Sequence, residues 1–124
     1  YLGSDELRGY MGESESDQTV SNEVFAYIKD CLDYTLKYST LSVLIDACHV
    51  TVKARKDYHQ IAKRYDASMI AYVFDRTHDI LLERNRVRGA NGGTYVPDWV
   101  IDRMYRAFTP PNIFQGFDEI VYIK

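Results

Sequence analysis

Ser42-Val43-Leu44-Ile45-Asp46 decides the fold of this chain. A short apolar run without polar alternation has no solvent-facing side, so it suits a parallel strand covered on both faces. Met69 to Phe74 repeats the pattern and again ends at an acid, Asp75. Around these runs the apolar spacing becomes helical. From about Asn22 to Lys37, Val24, Ile28, Cys31, Leu32 and Leu36 recur at near-helical intervals. Thr51 or a neighbour opens a second helix, with Ala54, Tyr58, Ile61, Ala62 and Tyr65 on one face. Thr77 caps a third helix. Pro97 suits the first turn of a fourth, which carries Val100, Ile101 and Met104.

Upstream, Tyr1-Leu2-Gly3 reads as the tail of a short strand. Ser4 then caps a helical turn from Asp5 to Met11, followed by an acidic loop from Glu13 to Asp17. Downstream, Gly89 to Gly93 reads as a flexible loop, and Glu119 to Lys124 makes a last strand. Apolar strands alternating with helices imply an α/β domain with a parallel sheet covered on both faces and right-handed crossovers.

The 124 residues fit one domain with a real core. At 46% hydrophobic and 14% aromatic, the chain should be globular rather than disordered. A net charge of -3 argues against a generic nucleic-acid-coating protein but leaves room for a small basic pocket. Cys31 and Cys48 make neither a metal spacing nor a disulfide framework, and reduced, cytoplasmic thiols are expected. No membrane span or signal segment is visible.

In open parallel sheets, ligands bind beyond the carboxyl ends of the strands. Asp5, Asp46 and Asp75 fall at that edge, and each could equally be a turn or helix cap. Arg8 follows Asp5 by three, placing carboxylate and guanidinium on one side of a helical turn. Such a pair can accept a hydroxyl proton while holding a phosphate on the acceptor, as phosphoryl transfer requires. The plainer reading is an exposed local ion pair worth ~0.5 kcal/mol or less. Leu82-Glu83-Arg84-Asn85-Arg86-Val87-Arg88-Gly89 packs three arginines into five residues of an acidic chain. Arg84 and Arg88 share one face and could fork onto a polyanion; alternatively they are cations at a solvated helix end.

Together these pieces carry a resemblance. They are Ser4-Asp5-Glu6-Leu7-Arg8, Asp17-Gln18-Thr19-Val20, Val43-Leu44-Ile45-Asp46-Ala47, Ala54-Arg55-Lys56 and Glu83-Arg84-Asn85-Arg86-Val87-Arg88. In that order the chain resembles the P-loop polynucleotide 5′-hydroxyl kinase family, most closely the kinase modules of bacterial RNA-repair enzymes and the phage polynucleotide kinase. Val96-Pro97, Val100 to Met104 and Gly116 to Ile120 are similar to the lid and terminal strand of related small kinases.

The resemblance implies a three-layer P-loop kinase-like fold, with a lid over roughly residues 84–108. It also implies ATP-dependent phosphorylation of a 5′-hydroxyl end of RNA or DNA, with ATP and Mg2+ as cofactors. Asp5 would be the general base. Arg8 would contact the acceptor phosphate, and Gln18 and Arg55 would help line the acceptor site. Arg84 and Arg88 would close over the ATP phosphates and neutralise charge on the transferred group. Asp46 would sit near magnesium through water. A small-molecule or tRNA-linked acceptor, and a catalytically inactive interaction module, are the alternatives.

Two departures accompany the resemblance. Related kinases commonly show Asp-Ala-Thr-Asn where this chain has Asp46-Ala47-Cys48-His49; a thiol does not replace a threonine hydroxyl. His49 is read as packed rather than ligating. The family's G-x-x-x-x-G-K-[ST] loop occurs nowhere in these residues. The chain is therefore expected to be an excerpt of a longer protein, inactive alone, or to have another segment in the place of the missing strand; several relatives carry a phosphatase or ligase domain as well. The family's first strand lies between the strands ending at Asp46 and Asp75. Without it, both should lose a hydrogen-bonding neighbour.

Overall fold

Val24, Ile28 and Leu32 stand four residues apart and are buried on one stripe of the longest helix, with Val24 and Ile28 fully out of reach of water. In a computed structural model describing residues 1–124, this helix is α2, Ser21–Tyr38; it follows α1, Ser4–Met11, and a 3-10 turn, Gln18–Val20. The stripe packs against Tyr58 and Ile61 of α3, Val52–Arg64. Leu2, Val43, Ile45 and Met69 close the core from the strand side, and Leu7 of α1 joins them. Each such buried aliphatic stabilises the fold by roughly 1.5–3 kcal/mol.

Four short strands complete the α/β architecture. β1, Leu2–Gly3, pairs in parallel with β2, Ile45–Asp46, placing Leu2 beside Ile45 and Gly3 beside Asp46. β3, Ile70–Val73, pairs in parallel with β4, Glu119–Tyr122, from Ile70 beside Glu119 to Val73 beside Tyr122. All pairings are parallel, as the apolar runs imply. The two pairs share no ladder, so the sheet is divided between β2 and β3. Each strand thus has a partner on one side only, the condition expected for the strands ending near Asp46 and Asp75.

That division shortens the strands. Of the run Ser42 to Asp46, only Ile45 and Asp46 are paired, because β1 offers just two residues. Beyond them a single bond continues the contact, from the Leu2 amide to the Leu44 carbonyl at 2.8 Å. Leu41, Leu44, Tyr72 and Phe74, apolar enough for a covered sheet, are more than half exposed.

Helix starts differ in detail from expectation. Thr51 caps α3 as read, its Oγ1 accepting from the Ala54 amide at 3.1 Å. Ser4 is not a cap: Gly3 holds that position, and Ser4 is the first helical residue, buried in the helix–strand corner. Thr77 precedes α4, His78–Ala90, without a side-chain capping bond. Gly89 belongs to α4, so the loop begins only at Asn91. Pro97, with φ −55°, leads into α5, Asp98–Ala107.

α4 and α5 form a helical hairpin, closed at one end by the His78 ring nitrogen on the Asp102 carboxylate. The expected lid, 84–108, covers the second half of α4, the connecting loop and α5. β4 is tied back through the Met69 amide, which donates to Asp118 Oδ2 at 2.7 Å. No helix is long and apolar enough to cross a membrane.

Candidate functional site

The carboxyl end of β1 runs directly into α1, which sets Asp5 in its first turn and Arg8 one turn on. Arg8 Nη1 donates to Asp5 Oδ1 at 2.7 Å. The two side chains differ sharply in exposure: 9% for Arg8 and 76% for Asp5. The guanidinium lies over the Phe25 ring, 5.7 Å from its centroid, and its Nε donates to Ser21 Oγ at 3.2 Å. Ser21 Oγ in turn donates to Gln18 Oε1 at 3.0 Å. Asp5, Arg8, Ser21 and Gln18 thus form one continuous polar chain. With Asp5 mostly in water, the ion pair adds little stability; its consequence is a fixed carboxylate with one oxygen unengaged.

The loop presenting Gln18 is held by Asp17, whose carboxylate accepts from the Thr19 hydroxyl and from the Thr19 and Glu13 amides. The Thr19 hydroxyl, followed by the two amides, lowers the Asp17 carboxyl below its ordinary value. Across from this loop, Asp46 ends β2 and accepts from the Tyr1 hydroxyl at 2.7 Å. That bond to a carboxylate pushes the Tyr1 phenol up to about 12.

Cys48 is solvent-exposed, yet surrounding atoms crowd its thiol. Crowding raises its pKa, with Asp5 and then Asp46 adding to the rise and Arg8 and Arg88 opposing it. Three segments distant in sequence, Asp5 with Arg8, Asp46 with Cys48, and Arg88, therefore share one electrostatic neighbourhood at the carboxyl end of the β1–β2 pair. His49 is packed, as read: its ring meets Phe25 and Tyr58 edge-on, and Nε2 lies 3.1 Å from the Tyr58 hydroxyl. Burial, then Arg55 and Lys29, lower its pKa.

Arg55 occupies a different environment from the acceptor chain. It is 6% exposed and on the buried face of α3, where sequence periodicity placed Ala54; Ala54 is exposed instead. Nη1 donates to the His49 carbonyl at 2.9 Å, and Nη2 to the Thr109 carbonyl at 2.8 Å and Gln115 Oε1 at 3.2 Å. The guanidinium clamps three segments distant in sequence, and the expected acceptor-site residue has its fork engaged by the chain itself.

The arginine cluster divides three ways. Arg86 is closed onto Glu83 through two bonds, at 3.0 and 2.7 Å. Arg88 straps the loop after α4, with Nε on the Thr94 carbonyl at 2.6 Å and Nη2 on Asn85 Oδ1 at 3.1 Å. Arg84 is exposed and makes no hydrogen bond or ion pair within the chain. Sequence reading passed over Asn85, which is 3% exposed and meets the Val96 backbone with both ends of its amide, at 2.6 and 3.0 Å. A poor helix former between two arginines was the available signal. Ser21 and Phe25, which fix Arg8, had none.

No group of three or more His, Cys, Asp or Glu side chains could hold a metal by itself. A family model described as an AAA domain matches residues 1–111. No curated protein matches the chain.

Proposed function

The chain belongs to the AAA-domain family, within the P-loop NTPase and kinase superfamily, and on that premise we propose that it phosphorylates the 5′-hydroxyl end of RNA or DNA at the expense of ATP. Members of this superfamily generally bind ATP and Mg2+, and a phosphotransferase is the general class the family supports. The acceptor is the finer step. One observation carries it: a strand-end carboxylate with a free oxygen, held by an arginine that is itself fixed by Phe25, Ser21 and Gln18.

The residues then take these roles. Asp5 accepts the proton of the attacking hydroxyl on Oδ2, which makes no bond within the chain. Arg8 Nη2 is likewise unengaged and meets the phosphate next to the attacked nucleotide. Immobilising both groups before the acceptor arrives lowers the entropic cost of orienting it. Gln18, exposed on its turn, extends the acceptor wall, whereas Arg55 is spent on the His49 and Thr109 carbonyls and on Gln115.

ATP would supply the transferred phosphoryl group. Arg84 fits its phosphates, being an unspent guanidinium, and Arg88 retains a free Nη1. Asp46 is a single carboxylate already accepting from Tyr1. It suits a water-mediated contact to magnesium, an ion that keeps several waters and binds largely through nucleotide phosphates. No lysine-bearing glycine loop stands among the 124 residues; in this reading the cradle for those phosphates belongs to an adjoining segment.

The test is transfer of labelled γ-phosphate by the parent protein to 5′-hydroxyl oligonucleotides, nucleosides and small alcohols. Preferential labelling of the oligonucleotide 5′ end is expected. Equal turnover of small alcohols would select a small-molecule kinase, and no transfer to any acceptor would select an interaction module. Asp5→Ala should cut transfer by roughly 10²–10⁴-fold, the range for a lost general base, with ATP binding largely intact. Parallel loss of ATP binding would remove Asp5 from that role.

A further inference from the structure

A concavity of about 450 Å³ lies on the outer face of α5 and is lined by Trp99, Asp102, Arg103, Arg106 and Ala107. Trp99, Arg103 and Arg106 stand at i, i+4 and i+7, so they share one helical stripe. Val100, Ile101 and Met104, on the other side of α5, are partly buried. Trp99 is 62% exposed, and the Arg103 guanidinium sits 5.2 Å from its ring centroid. Neither Arg103 nor Arg106 has an acidic partner within 4.0 Å. The one carboxylate in the lining, Asp102, is engaged by His78.

We propose that this face binds single-stranded nucleic acid, one base stacking on Trp99 while neighbouring phosphates meet Arg103 and Arg106. The proposal rests on the reading that the acceptor is a polynucleotide, and it adds a second contact on the hairpin that carries Arg84 and Arg88. Charge and shape select the occupant. An apolar partner would bury two uncompensated guanidiniums. An acidic peptide would answer the arginines and leave the indole idle. A strand answers both, because every base has a π-face and every linkage a charge.

Trp99 is the only tryptophan of the chain, so its emission reports on this face directly. The chain is titrated with a 5′-phosphorylated single-stranded oligonucleotide, which offers no hydroxyl to phosphorylate, and with polyglutamate. The oligonucleotide should quench emission and polyglutamate should not. Oligonucleotide anisotropy should show Trp99→Ala weakening binding by roughly five- to a hundred-fold, with Trp99→Phe recovering part of it. Arg103→Ala and Arg106→Ala should each lower the log Kd against log salt slope by about 0.7. Absence of quenching, an equal response to polyglutamate, or unchanged affinity in Trp99→Ala would overturn the proposal. If Trp99→Ala fails to fold, the slopes of the arginine variants decide. Binding here needs no ATP, so quenching of this chain together with no phosphate transfer by the parent protein would refute the kinase reading alone. Transfer without quenching would refute this one alone.

Discussion

Replacing Arg55 separates a structural from a substrate-binding role. Arg55→Met keeps the aliphatic stem and removes a guanidinium that donates to the His49 carbonyl, the Thr109 carbonyl and Gln115 Oε1. A hydrogen bond from a charged donor contributes roughly 1.5–3 kcal/mol. The Gln115 side chain can turn to water, so its loss counts least. The two carbonyls belong to backbone held in place by the surrounding fold. Burial also costs the guanidinium something, since it lowers the Arg55 pKa below its ordinary value. The net expectation is about 3 kcal/mol of lost stability, a large share of a typical domain's total. Arg55→Lys should recover less than half, because an ammonium cannot span three acceptors with a planar fork. Urea unfolding followed by circular dichroism measures both. Stability within about 0.5 kcal/mol of the parent, with a raised KM for the acceptor in the active protein, would refute the clamp and return Arg55 to the substrate.

Three further outcomes follow from the same geometry. Asn85→Ala should cost about 2 kcal/mol, because it strands the amide and carbonyl of Val96; hydrogen exchange should accelerate at the Val96 amide, and unchanged protection there would contradict the role. Arg84→Ala touches no partner, so unfolding should shift by less than about 0.5 kcal/mol while the KM for ATP rises in the active protein; a large stability loss with normal ATP use would place Arg84 outside the phosphate site. His49 and His59 both have pKa values lowered below the ordinary 6.5, first by burial and then by Arg55. The unfolded chain therefore binds more protons just below pH 6.5, so stability should be level above that pH and fall as pH drops toward the lowered folded values. Urea midpoints between pH 7.5 and 5.5 test the sign, and His59→Asn should flatten the slope; a midpoint that rises on acidification would be inconsistent with buried neutral rings.

Much of the architecture was legible in the chain because it is written in local periodicity. Val24, Ile28 and Leu32 announce one face of α2, and the apolar run ending at Asp46 announces a parallel strand. Thr51 announces the start of α3 through a bond only three residues long. Strand extent was not legible, since a ladder reaches only as far as its partner does. Two residues of β1 leave Ser42 to Leu44 outside the strand, whatever their composition.

The site divides along the same line. The i, i+3 spacing of Asp5 and Arg8 is a property of one helical turn, and it suffices to place the ion pair. Sequence also set the family, whose match extends over residues 1–111. Only the tertiary structure decided which arginines are spent. Arg8, Arg55, Arg86, Arg88 and Arg84 are alike as letters, yet Ser21, Thr109, Glu83 and Thr94 engage four of them and leave Arg84 free. Three of those four partners lie at least six residues away in sequence, and Thr109 is fifty-four away. A guanidinium's role depends on which oxygens reach it, and chain folding, not residue type, brings those oxygens within hydrogen-bonding distance.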